Sequence, residues 1–166
     1  ALRAINNLTI IAPADNFETR AAVTAAASAR HPVYLRFGKA PLYDLPAAPP
    51  FAVGQARMLR DGRDAAFIAA GETVIHALLA AAHLEETAGL QCRVLSVPTI
   101  KPLDSAAILA AATECRAVVT VEEHMVNGGL GEACAGVIAR ARLAVPFHVA
   151  GVPDEYTVTG SDSTRC

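Results

Sequence analysis

The sequence has no tryptophan, and only 18% of its 166 residues are charged. Neither sign of charge dominates: Lys+Arg number 14 against Asp+Glu 16, for a formal net charge of -2. Scarce charge beside a 53% hydrophobic content excludes an intrinsically disordered chain, which would be apolar-poor and charge-rich. Without a basic run, no nucleic acid and no anionic membrane is expected as a partner, because affinity for either comes largely from clustered Lys and Arg. Long apolar runs are missing too. The stretch 21–29 is flanked by Arg20 and Arg30, and 77–82 by His76 and His83; neither approaches the ~20 apolar residues a crossing requires. Residues 1–7 contain no apolar signal core and no initiator Met. No Cys-x-x-Cys pair occurs among Cys92, Cys115, Cys134 and Cys166, so neither a zinc site nor a disulfide framework is indicated. Reduced thiols in a cytoplasmic protein are the simplest expectation.

What is present is a chain of strands and helices in alternation. Its length suits one domain, or one domain with a piece of another, and such a chain buries roughly 70% of its unfolded surface. Residues 8–12 form a short apolar run closed by Pro13. Asp15 with Glu18 three residues on makes a capping box for a helix running to about Ala29. Residues 33–37 read as a second buried strand. Residues 38–50 carry Pro41, Pro46, Pro49 and Pro50 without a period, which marks a linker and places the break between domains there. Beyond it, strands are expected over 51–59, 65–69, 91–97, 117–121 and 147–150, with helices over 73–87, 105–114 and 130–141. This alternation implies an α/β fold with a mixed, mostly parallel sheet covered on both faces.

Three places carry candidate chemistry. Arg36 ends an apolar strand, where open α/β sheets bind ligands, and a guanidinium is the side chain best shaped for phosphate or carboxylate. On the residues alone, a solvated Arg leaving the sheet is the simpler reading. Glu122, Glu123 and His124 follow a strand and lead into Asn127, Gly128, Gly129, Leu130 and Gly131. Neighbouring strand residues point to opposite faces, which argues against a shared-proton dyad. The glycines lack the Lys-Ser/Thr of a P-loop and do not match G-x-G-x-x-G, so a tight turn, close packing or an interface is favoured over catalysis. His76 and His83 would sit ~10 Å apart along one helix, too far for one metal. Asp104 is an N-cap before Ser105, and His31 and His148 have no assignable partner. No Ser-His-Asp or Cys-His constellation can be assembled from spacing.

The order of these motifs resembles the transketolase family. Residues 7–15 with Glu18, then Pro32-Val33-Tyr34-Leu35-Arg36, are similar to the end of its pyrimidine-binding domain. Ile68-Ala69-Ala70-Gly71, Thr99-Ile100-Lys101-Pro102-Leu103-Asp104, Val121-Glu122-Glu123-His124, Gly128-Gly129-Leu130-Gly131 and Gly151-Val152-Pro153-Asp154 are similar to its C-terminal domain. The wording is most similar to the C-terminal subunit of transketolases split into two polypeptides. The same order occurs in 1-deoxyxylulose-5-phosphate synthase and in the β subunit of 2-oxo-acid dehydrogenases.

The resemblance implies a three-layer α/β/α domain over 47–166, without the family's last helix, preceded over 1–46 by the end of a pyrimidine-binding α/β domain. It implies part of an enzyme that uses thiamin diphosphate and a divalent metal (Mg or Ca) to move a two-carbon ketol unit from a ketose phosphate to an aldose phosphate. The segments that hold the cofactor in the family precede Ala1, so none is expected on this stretch. An N-terminal transketolase subunit or domain is the expected partner, in a homodimer or heterotetramer that acts on sugar phosphates. Arg36 matches the position from which an Arg reaches the substrate phosphate. Glu123, His124, Gly128 and Gly129 are expected at an interface. A non-catalytic interaction module of the same fold is the alternative of another class.

Overall fold

In the computed structural model, which describes residues 2–38, 43–45 and 49–155, the chain begins with a single 3-10 turn, Leu2–Ala4. It then runs through Thr9–Ile11 (β1), Asn16–Ser28 (α1), Val33–Leu35 (β2), Arg57–Arg60 (β3), Ala65–Ala69 (β4), Thr73–Ala88 (α2), Cys92–Ser96 (β5) and Thr99–Lys101 (β6). Ser105–Glu114 (α3), Val118–Met125 (β7), Leu130–Arg140 (α4) and Phe147–Val152 (β8) follow. The expected break at 46/47, much of the linker and the chain after 155 lie outside the described residues.

Local chemistry sets several of these boundaries. Asp15 caps α1 by accepting the Glu18 N–H at 2.6 Å, and Asp104 caps α3 by accepting the Ala107 N–H at 3.0 Å. The return half of the capping box is shifted: the Glu18 carboxylate takes the Ala14 N–H at 2.7 Å rather than the amide of the cap itself. Gly89 ends α2, its N–H reaching back to Glu85 and Leu84.

The strands form two sheets. The larger has the order β3-β5-β4-β7-β8, parallel except that β3 runs against β5. Side chains alternate across it. Ala66, Ile68, Leu95 and Val97 face a core closed by Ile108 and Ala111 of α3 and by Leu130, Cys134 and Ile138 of α4. Phe67, Ala69, Cys92 and Val94 face the opposite core, closed by Val74, Ala77 and Ala81 of α2. The result is the expected α/β/α sandwich with a mixed, mostly parallel sheet. The small apolar side chains of α2 let it lie close to the sheet.

The smaller sheet has the order β2-β1-β6, with β1 parallel to β2 and antiparallel to β6. It corrects three expectations. Strand β6 has no counterpart among the expected strands, because a three-residue strand next to Pro98 and Pro102 shows no period. It comes from beyond residue 46 yet pairs with β1, so the two parts share a sheet. Strand β2 ends at Leu35 and is half exposed rather than buried, because it forms the sheet's edge. His31 has a partner after all: its Nε2 lies 2.7 Å from Thr9 Oγ1.

Two further boundaries move. The expected strand over 51–59 is only Arg57–Arg60, and β7 runs on to Met125, so Glu122, Glu123 and His124 lie within a strand instead of after it. Cys92, Cys115 and Cys134 are buried free thiols. No helix among the described residues is long and apolar enough to cross a membrane.

Candidate functional site

Strand β4 heads the parallel set. From it the chain crosses through α2 to β5 on one side, then through α3 to β7 on the other. Where successive crossovers leave in opposite directions, the carboxyl ends of the strands border a crevice. Here the crevice is a cleft of ≈ 360 Å³, lined by Ala70 beyond β4, by residues 122–125 of β7 and by 127–130. The smaller sheet supplies the opposite wall through Ile10, Ala12, Tyr34 and Arg36, and Arg3 lies at its margin. The expected phosphate ligand Arg36 and the expected interface residues Glu123, His124, Gly128 and Gly129 all line this one cleft, whereas His76 and His83 do not.

Alternation along β7 sends its two glutamates to different neighbours. Glu122 is buried, and its Oε2 accepts the Leu130 N–H at 2.5 Å and the Gly131 N–H at 3.4 Å, satisfying free amides at the start of α4. Its Oε1 is buried without a hydrogen-bond partner among the described residues. Burial pushes the Glu122 carboxyl above the usual range, against the pull of the Leu130 N–H and of His124, whose Nε2 lies 3.7 Å from Oε2. Glu123 turns the other way and forms an ion pair with Arg36.

The glycine turn is shaped around this arrangement. Gly128 has φ +78, a left-handed conformation that costs most other residues strain. A Cβ on Gly129 would overlap the Glu122 carboxylate and lie 2.6 Å from His124 Cε1. Arg3 donates to the carbonyl oxygens of Gly128, at 3.0 Å, and Gly129.

One participant does not stand out in the sequence. Glu72 precedes α2 just past the carboxyl end of β4, the same topological position that draws attention to Arg36. Its side chain makes no cap hydrogen bond, and its Oε1 is buried without a partner among the described residues. Burial, the Glu123 charge and a hydrogen bond with Glu123 push its carboxyl upward, opposed by Arg36 and His76.

The cleft thus presents two guanidinium groups at its walls beside the buried Glu122 carboxyl, whose proton affinity burial raises. That suits recognition of an anion. Among the described residues no group of three or more His, Cys, Asp or Glu side chains could hold a metal ion. The described residues therefore do not fit the divalent metal.

The chain matches a family model described as transketolase, C-terminal domain, over residues 54–164. It is 44% identical to a transketolase family protein of Sinorhizobium fredii, over 96% of this chain and 47% of that protein. It is 40% identical to one of the subunits of the apulose-4-phosphate transketolase of Phocaeicola vulgatus, over 96% of this chain and 51% of that polypeptide. The chain thus spans about half the length of these curated relatives. Among solved structures, a split-gene transketolase described as an inactive beta4 tetramer superimposes with a TM-score of 0.86 at 36% identity, covering 92% of this chain and 50% of that one. The motif order, the three-layer fold and the match over residues 54–164 together place the chain in the transketolase family, as a bearer of its C-terminal domain.

Proposed function

We propose that this chain is part of a thiamin-diphosphate-dependent transketolase, which moves a two-carbon ketol unit from a ketose phosphate to an aldose phosphate. Residues 1–46 are then the end of a pyrimidine-binding domain and 47–166 a C-terminal domain. The observation that carries the reading is Arg36 at the wall of the cleft, in a chain of this family. The cofactor, when bound, supplies the carbanion chemistry. The described residues do not fit its metal, so no bond-making step is assigned to them. Arg36 grips the phosphate of the sugar and so fixes the substrate's distance and orientation, which lowers the entropic part of the barrier.

Partner and assembly follow from the same reading. An N-terminal transketolase subunit or domain completes the enzyme in the cytoplasm, as a homodimer or heterotetramer. The solved relative described as an inactive beta4 tetramer supports the expectation that the C-terminal polypeptide does not suffice without its partner. The exposed Met125 and Gly128 and the half-buried Glu123 and His124 line the cleft, and with Gly129 they make a segment that suits a subunit contact. Ketol transfer from a ketose phosphate should appear when the chain is combined with an N-terminal subunit, and be absent from either alone. An assembled but inactive complex overturns the reading. Hydrogen exchange over 122–131 should slow on assembly; equal exchange in both states removes the interface role.

A further inference from the structure

The Arg36 side chain is 37% exposed, so part of it is open to a ligand in the cleft. What fixes its tip is Glu123, which reaches across from β7 to the guanidinium on the end of β2. No other acceptor takes that guanidinium among the described residues, so donors of the fork remain for a second anion. A long cationic side chain loses rotamer freedom when it grips a ligand, and an anchor set in advance removes that cost from binding.

Behind this pair stands Glu72, which does not line the cleft. Its carboxyl occupies the space where Gly38 has no side chain; a Cβ there would overlap Glu72 Oε1. A helix start should favour a charged carboxylate, yet the Glu72 side chain makes no cap hydrogen bond and its Oε1 is buried without a partner among the described residues. Two carboxyls beside one guanidinium are best accommodated when one carries a proton and donates it to the other. Burial and the Glu123 charge raise the proton affinity of the Glu72 carboxyl.

We propose that Glu123 is a positioning residue that anchors the Arg36 guanidinium at the cleft wall for an anionic group of the substrate, with the buried Glu72 carboxyl beside Gly38 as the neighbouring group whose charge opposes that anion. This rests on the reading of Arg36 as a phosphate ligand. The groups that face Glu72 are Glu123 on β7, Arg36 on β2 and His76 on α2. While Glu72 is neutral the trio carries no net charge. Once it ionises, the trio becomes negative, holds Arg36 more tightly and repels a phosphate.

The test uses the assembled enzyme with fructose 6-phosphate and, as a donor without phosphate, hydroxypyruvate. Glu123→Ala should raise KM for the phosphate donor about 2- to 10-fold, the range expected for ordering one long side chain, with a smaller effect on kcat. Hydroxypyruvate should show a distinctly smaller rise, and Glu123→Gln, which keeps an acceptor, should fall between wild type and Glu123→Ala. Across the ionisation of Glu72, KM for the phosphate donor in wild type should climb about threefold relative to Glu72→Gln, the effect of one further charge a few ångström away in a water-like dielectric. The ratio to Glu72→Gln also cancels the titration of the sugar phosphate itself. A lowered KM in Glu123→Ala would make Glu123 a competitor of the phosphate and overturn the proposal, as would a flat ratio. Arg36→Ala on the same preparation separates the two levels. Equal losses with both donors defeat the phosphate reading, whereas a selective loss in Arg36→Ala with none in Glu123→Ala defeats the positioning role alone.

Discussion

The Arg57 guanidinium and the Glu18 carboxylate, 39 residues apart in sequence, meet at 2.7 Å with only 3% and 0% of their side chains exposed. Glu18 also accepts from Ser96 Oγ at 2.8 Å and from the Ala14 N–H at 2.7 Å, while Arg57 donates to the Pro49 carbonyl at 2.9 Å. The network ties α1 to β3 and β5, so the piece before the linker is held to the three-layer domain by buried, satisfied charge as well as by β6. Arg57→Ala would leave Glu18 charged and unpaired, and should cost about 3–5 kcal/mol in a urea titration. Replacing both by methionine should cost less than the two single changes added together. A loss under about 1 kcal/mol for Arg57→Ala would show that water or another cation takes its place.

Arg36→Ala in the assembled enzyme should weaken phosphorylated donors selectively. A hydrogen bond to a charged group contributes about 1.5–3 kcal/mol, which at about 1.36 kcal/mol per decade is roughly 10- to 150-fold in kcat/KM. The loss should sit mainly in KM if the phosphate is gripped equally in ground and transition states. Lys at this position should restore only part, since it keeps the charge without the fork.

The glycine turn offers a steric test. Gly129→Ala should destabilise by about 1–3 kcal/mol, because the new methyl meets the buried Glu122 carboxylate and the His124 ring. Gly128→Ala should cost about 1–2 kcal/mol for a different reason, its left-handed φ of +78. The two are told apart by Gly128→Asn, which should recover stability because Asn tolerates that conformation. No recovery would mean that Gly128 is needed for space instead.

Glu122 makes stability depend on pH in a definite direction. Its carboxyl is pushed upward by burial, so the folded chain holds the proton more tightly than the unfolded one. The stabilising contribution is complete below the ordinary glutamate value and is lost as pH rises through the raised one. Asp61 and Glu85, pulled downward by hydrogen bonds to Gly62 and Gln91 and by arginines, act with the opposite sign and at lower pH. Carbon NMR of the Glu122 carboxyl should therefore show a midpoint above that of exposed glutamates. A midpoint at or below theirs contradicts the burial argument.

Isothermal titration of the isolated chain with thiamin diphosphate and Mg²⁺ should show no saturable submicromolar binding, since the described residues hold no group of three or more metal-ligating side chains. Tight binding by this chain alone would place the cofactor site within it.

Local rules are enough for much of the architecture. Asp15 with Glu18 and Asp104 before Ser105 announce helix starts because capping acts within three residues. The alternation of Phe67 and Ile68 between two cores announces a strand buried on both faces. The motif order is enough for the family. Arg36, Glu123 and His124 are legible as candidates because each lies at or past the carboxyl end of an apolar run.

The partnerships among those residues are not legible. Arg36 meets Glu123 across 87 positions, Glu18 meets Arg57 across 39, and β6 joins a sheet that begins on the far side of the linker. No periodicity or spacing rule reaches over such distances. Glu18 reads as a helix cap in sequence, and only the fold turns its carboxylate into the buried partner of an arginine. Glu72 reads as a polar residue before a helix, and only the fold, by burying it beside Gly38 and near the Glu123 charge, pushes its carboxyl upward. Which elements form, and which family they belong to, can be read from the order of residues, since both follow from near neighbours and motif order. Which charges meet and which are buried comes from the folded chain, because ionisation depends on dielectric and distance, and both are set by chain crossings that near neighbours do not encode.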